Sequence, residues 1–180
     1  MKTMQLLAFP LASALLILPS SALADDGVRI QGAFAATASA TPNTGAATYC
    51  GGVALTLAVE AKGSGFSSLG ALSFSLLKTI NVPGAIHGCL TLTAPGGDAL
   101  YAIYDGTEGV TDANGFRPAS GTLTFTGGTG RFQGASGGAT FTATFLGLYP
   151  LSSFIGGTSS PLQVSAYYVI EGRLSLRGDN

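Results

Sequence analysis

Apolar and polar residues alternate with a period of two along most of this chain, and helical periodicity is almost absent. Val53, Leu55, Leu57 and Val59 alternate with Ala54, Thr56, Ala58 and Glu60. Leu72, Phe74, Leu76 and Ile80 keep the same rhythm, with Ser73 and Ser75 on the opposite side. Further alternating runs span 86–94, 98–105, 120–126, 138–146 and 163–176, and 28–38 is a weaker one. Between them lie TPNTG, KGSG, NVPG, APGGD, DANG and IGGTSSP, clusters that supply the positive and fixed φ angles of turns. The pattern predicts about eight short strands at hairpin spacing. Such a set must hide its edges, as a closed barrel or as two stacked sheets. Short, direct connections favour the barrel: all-β, eight-stranded, antiparallel and up-and-down. The longest connection, 147–161, carries Tyr149, Leu151, Phe154 and Ile155. It reads either as a loop packed on the barrel or as a lid across one mouth.

The first 24 residues stand apart from this rhythm. A lysine, the apolar run LLAFPLASALLILP and the small-residue ending SSALA have the layout of a secretory signal peptide, with cleavage expected after Ala24. Pro10 and Pro19 interrupt the run, which is shorter than the roughly 20 residues of a membrane span. The mature chain, 25–180, is then one domain of a size that supports its own core. Charge is sparse and balanced at net −1, which argues against nucleic acid and against a polybasic membrane surface. The expected location is outside the cytoplasm, periplasmic or extracellular. Cys50 and Cys89 are the two cysteines, and in an oxidising compartment the simplest reading is one disulfide. Closing a loop of that length stabilises a fold by roughly 4 kcal/mol in the chain-entropy model. The competing reading makes Cys89 a nucleophilic thiol with His87, two residues away, as its base.

The glycine-rich stretch FTGGTGRFQGASG, 125–137, has no Walker lysine, and Gly128, Gly130 and Gly134 are spaced one residue too far apart for a dinucleotide fingerprint. Strand patterns flank it on both sides, TLTF before and ATFTATF after. It is therefore a turn between antiparallel strands. Phe132 is its inward anchor, and Arg131 and Gln133 point towards solvent or a neighbouring loop.

With TLTF before it and GGATFTA after it, GGTGRFQGASG resembles the signature hairpin of the allene oxide cyclase barrel-like superfamily, to which the plant dirigent proteins belong. APGGDALYAIYDGT and the last strand, AYYVIEGRLSL, extend the resemblance over roughly residues 64 to 176. It implies an eight-stranded barrel with an internal apolar cavity, often assembled as a homotrimer. It also implies a cavity that holds an unstable epoxide in the plant cyclases and orients phenoxy radicals in dirigent proteins. The region 28–60 departs from the plant pattern, so the cyclase's catalytic constellation has no residue-by-residue match here.

Polar groups inside a barrel are costly unless hydrogen-bonded, so those placed on apolar strands are informative. Glu171 shares one strand face with Tyr167, Val169 and Arg173; turned inward it is an acid or base tuned by Arg173, turned outward it is half of a surface pair. Asp98 shares a face with Leu100, Ala102 and Tyr104, a pairing suited to proton shuttling or phenol binding, although an Asp after APGG also suits a turn. Glu171, Asp98 and Tyr104 are thus the catalytic candidates, and Tyr101, Arg173 and Phe132 the binding candidates. His87, the single histidine, builds no metal centre alone, and no cofactor motif occurs. Asp105, Glu108 and Asp112 lack the spacing of a calcium loop and read as a solvated loop. Three functions fit. One is a barrel that encloses a small apolar or aromatic molecule; the second is an isomerase, cyclase or coupling-steering protein using the same cavity. The third is a structural or surface-interaction protein whose barrel is filled by side chains.

Overall fold

The computed structural model describes residues 27–81, 83–147 and 162–176. The signal-peptide reading of 1–24 and the lid or packed-loop reading of 148–161 lie outside the described residues. Eight strands follow one another: β1 (Val28–Pro42), β2 (Leu57–Ser67), β3 (Gly70–Ile80), β4 (Gly84–Thr93), β5 (Ala99–Glu108), β6 (Phe116–Gly128), β7 (Ser136–Leu146) and β8 (Leu162–Ser175). Each pairs antiparallel with the next, and β8 pairs with β1, so the sheet closes on itself in the expected up-and-down order. Closure removes every free edge from an otherwise aggregation-prone set of strands.

Alternation decides which side chains fill the barrel. Phe34, Phe74, Leu76, Leu90, Tyr104, Leu123, Phe141, Tyr168 and Ile170 all point inward and are buried. Each large apolar side chain so buried is worth about 1.5–3 kcal/mol against leaving it in water. One row of inward positions passes from Ala40 through Val59, Lys78, Gly88, Tyr104, Leu123, Ala139 and Gly172 to Ile30. The row begins and ends on β1 but returns ten residues away, at Ile30 instead of Ala40. That stagger accompanies the roughly 35–45° strand tilt of closed barrels.

The two ends of the cylinder are finished differently. At one end the glycine stretch turns β6 into β7 through a short 3-10 turn, Gly130–Phe132, and drops Phe132 into the core as expected. Arg131 and Gln133 stay exposed, and Arg131 Nη2 donates to the Leu69 carbonyl at 3.1 Å, tying this turn to the one between β2 and β3. At the other end, the connection 43–56 folds back over the outer face of β3 and β4. The Cys50–Cys89 disulfide fixes it there, with Cα atoms 5.6 Å apart, which removes the free-thiol reading of Cys89. Thr79 Oγ1 donates to the Val53 carbonyl at 2.9 Å beneath it.

Several boundaries differ from the sequence reading. Residues 53–56 alternate like a strand but belong to this strapped connection, and β2 begins only at Leu57. KGSG, read as a turn, is strand: it lies inside β2, and the turn comes later at Ser68–Leu69. Gly63 and Gly65 serve close approach, since a Cβ on either would overlap the β1 backbone around Ala33–Ala36. The weak 28–38 run is a full strand reaching Pro42, and β5 and β6 extend to Glu108 and back to Phe116.

Candidate binding site inside the barrel

Near the strapped end, the inner face changes character. Lys78 follows Leu72, Phe74 and Leu76 on the inward side of β3, Glu108 is the last residue of β5, and Arg117 is the second of β6. All three are at most 2% exposed. Lys78 Nζ lies 3.5 Å from Glu108 Oε1, and Arg117 Nε lies 3.5 Å from Glu108 Oε2, so one carboxylate stands between two cations. Phe145 supplies the wall: Lys78 Nζ sits 4.4 Å and the Arg117 guanidinium carbon 5.4 Å from its ring centre. Gly88, beside Lys78 on β4, lets the two strands approach closely; a Cβ there would run into the Leu77 carbonyl and the Lys78 Cα and Cβ.

Two tyrosines complete the cluster. Tyr104 stacks on Phe141 with ring centres 4.0 Å apart, and Tyr168 packs against Phe74 at 4.7 Å and edge-on to Phe145. Burial, then the neighbouring Tyr168 and Glu108, hold the Tyr104 hydroxyl well above the usual phenol range, so it is a neutral donor at any physiological pH. Lys78 moves the other way. Burial in the apolar interior lowers its pKa; the Glu108 carboxylate opposes that shift and the Arg117 charge reinforces it. The Tyr104 hydroxyl makes no hydrogen bond, whereas the Lys78 amine and both Glu108 oxygens are engaged in the 3.5 Å ion pairs. Around them the inner face is built of small residues: Ala38, Ala40, Ala61, Ala143 and Ala166. The arrangement can donate hydrogen bonds to an oxygen, neutralise a developing charge, or offer a buried amine.

The sequence candidates fall in different places. Tyr104 belongs to this cluster. Glu171, Arg173 and Tyr101 lie on the outer face, where Gln31 Nε2 donates to Glu171 Oε1 at 2.9 Å. Asp98 sits at the hairpin end, its carboxylate filling the space where a Cβ on Gly130 would be, and Phe132 plugs the core nearby. The structure therefore does not bring Glu171 or Asp98 together with Tyr104. Glu108, read as part of a solvated loop, is instead buried, because β5 continues to it and its parity is that of Tyr104. Lys78 and Arg117 were missed as site residues; the two-residue rhythm places Lys78 between Leu76 and Ile80, and that was the available signal.

Two outer features are distinct from the interior. His87 pairs with Asp105 across β4 and β5, and its ring also meets the Cys50 carbonyl at 3.3 Å. Partial burial works against its charged form, but the Asp105 hydrogen bond and the Cys50 and Tyr49 carbonyls outweigh it and raise its pKa. A groove of about 490 Å³ on the outside is lined by Ala33, Ala35, Phe66, Ala71, Pro95 and Tyr167.

No family model matches the chain, and no curated protein matches it. Among solved structures the chain is similar to that of the pterocarpan synthase dirigent protein GePTS1, at 13% identity and a TM-score of 0.40, over 85% of this chain and 87% of that one. A superposition that loose transfers neither residues nor chemistry, and the eight-stranded barrel stands on its own strand pairing.

Proposed function

We propose that the barrel binds a small apolar or aromatic molecule carrying an oxygen acceptor, with that oxygen set against Tyr104 and Lys78 at the strapped end. The observation that supports this is the fully buried Tyr104 hydroxyl, which makes no hydrogen bond, next to the Lys78 amine that Glu108 holds at 3.5 Å. Buried polar groups are otherwise almost always satisfied, and each orphan costs about 1–3 kcal/mol. The ion cluster beside them is no better as a stabiliser, since apolar side chains of similar volume usually serve as well or better. Aromatic walls and alanines supply the apolar part of such a site, as in other concave small-molecule sites. The protein acts outside the cytoplasm in this reading, released after Ala24, and its disulfide suits an oxidising compartment. The N-terminus of exported material is then Asp25; recovery of the chain still starting at Met1 would remove that part.

The test is titration with prodan, an aromatic ketone whose emission reports the polarity around it. Saturable one-to-one uptake with blue-shifted emission is expected. Tyr104→Phe should weaken it roughly fivefold, one neutral hydrogen bond's worth of affinity. Tyr167→Ser, on the outer groove, should leave it unchanged. Uptake that follows Tyr167 and ignores Tyr104, or no uptake at all, would leave the filled-barrel reading in possession.

A further inference from the structure

We propose that the outer face of β1, β7 and β8 binds a uronic-acid unit of an acidic polysaccharide, its carboxylate held between Arg29 and Arg173. This site lies outside the barrel and is independent of the interior reading above.

Strand register makes the site. Arg29 and Arg173 stand directly opposite each other on β1 and β8, and both are exposed. The Cβ atoms of such a cross-strand pair are roughly 4.5–5.5 Å apart, and like charges placed there oppose folding. Neither guanidinium has a hydrogen bond or ion pair among the described residues. Glu171, the carboxylate two residues before Arg173 on the same face, is engaged instead by Gln31 Nε2 at 2.9 Å. A guanidinium fork matches the geometry of a carboxylate, and two forks so placed suit one anion between them. Gly138, opposite Arg173 on β7, puts no side chain over it.

Charge and lining name the ligand. Among the described lysines and arginines, Lys78 and Arg117 are buried and Lys62 pairs with Glu60. The others, Arg29, Arg131 and Arg173, gather at the hairpin end, where the Ser68–Leu69 turn bonds to both Arg29 and Arg131. The described carboxylates there are Asp98, packed against Gly130, and Glu171. An anion is the complementary partner for such an end. The groove of about 390 Å³ at the arginine pair is lined by Arg29, Thr140, Glu171, Gly172 and Arg173. That is within the ~300–1,000 Å³ of small-molecule sites and more than a bare carboxylate or sulfate fills. Thr140 Oγ1 donates to the Glu171 carbonyl at 3.3 Å and keeps lone pairs for a ligand hydroxyl, and the Glu171 carboxylate accepts from others. The same carboxylate disfavours a ligand that is anionic throughout. A ring with hydroxyls around a single carboxylate meets all of these demands, and the exposed sheet face leaves room for the units on either side.

The test is calorimetric titration of the processed protein with trigalacturonate at pH 7 and low salt. Saturable uptake is expected, weakening as NaCl is raised because the arginines are exposed. Arg173→Gln should weaken it about tenfold, and the double variant with Arg29→Gln should abolish it, as the loss of charge-assisted hydrogen bonds predicts. Glu171→Ala should weaken it about threefold, one neutral-strength hydrogen bond's worth. These are exposed side chains, so denaturation midpoints should stay with the parent, and prodan uptake should be unchanged. A gain in affinity from Glu171→Ala, or equal displacement by sulfate and by NaCl-matched galacturonate, would reduce the groove to a general anion patch and overturn the sugar reading. Equal binding of the methyl-esterified trimer would overturn the role of the arginine pair. No uptake by the parent, or uptake that the double variant leaves intact, would overturn the site altogether.

Discussion

At the hairpin end of the barrel, Phe125, Phe132, Leu100 and Leu174 are buried against one another; at the strapped end, Lys78, Glu108 and Arg117 are buried to the same depth. The same two-residue rhythm put both sets inside, but they obey different energetics. Apolar plugging is graded: each carbon removed costs its transfer free energy plus part of a cavity. A buried ion cluster is conditional, because the cost of removing one member is set by the charges it leaves behind. The contrast separates a part of the barrel that is sufficiently explained by stability from a part that is not.

The largest effect should come from Glu108→Ala, which removes the buried carboxylate that faces Lys78 and Arg117. A loss of about 4 kcal/mol in chemical denaturation is expected, near the middle of the range for breaking a buried ion pair. Phe132→Ala comes next, at about 3 kcal/mol, the lower end for a buried phenylalanine because a plug at the rim has room to collapse. A Glu108→Ala effect smaller than that of Phe132→Ala would break the comparison.

Titration of Lys78 sharpens it further. Its folded pKa is lowered, so between that value and the unfolded one, about 10.4, the unfolded chain binds the extra proton and stability rises with pH. Denaturation midpoints measured from pH 7 to about 9.5, below the range where exposed tyrosines ionise, should climb relative to Lys78→Met. A flat difference would mean that Lys78 stays charged in the fold.

The smallest effect belongs to the outer clasp. The folded pKa of His87 is raised, so its contribution is complete below the unfolded value of about 6.5 and is lost as pH rises through the folded one. Asp105 is half exposed and solvent screens the pair, so His87→Gln should cost less than about 1 kcal/mol at pH 6 and progressively less as pH rises. A cost that does not change with pH would assign His87 a packing role instead.

Much of the architecture was legible in the sequence, because alternation reports the pleat directly. Seven of the eight strands lie along alternating runs, β2 shares only 57–60 with its run, and Phe132 is buried as its place in the glycine stretch implies. Strand ends were harder. Glu108 and Arg117 occupy the last and second positions of β5 and β6, and a charge beside turn residues looks like a loop until its parity is followed inward. KGSG looked like a turn because glycine marks turns and close strand approaches alike, and only the neighbouring β1 backbone distinguishes them. Glu171 was readable as inward or outward. The uncharged side of β8, with Tyr168, Ile170 and Leu174, took the interior, as the cost of burying both Glu171 and Arg173 requires.

The central claim is that the charged end is held for a ligand and not for the fold, and one variant tests it most directly: Lys78→Met, Glu108→Leu, Arg117→Met together. Prodan titration of this protein, with its denaturation midpoint measured on the same sample, should find a barrel at least as stable as the parent and uptake weakened tenfold or more. A triple variant that binds prodan as the parent does, or that loses stability while the parent takes up none, would contradict the account.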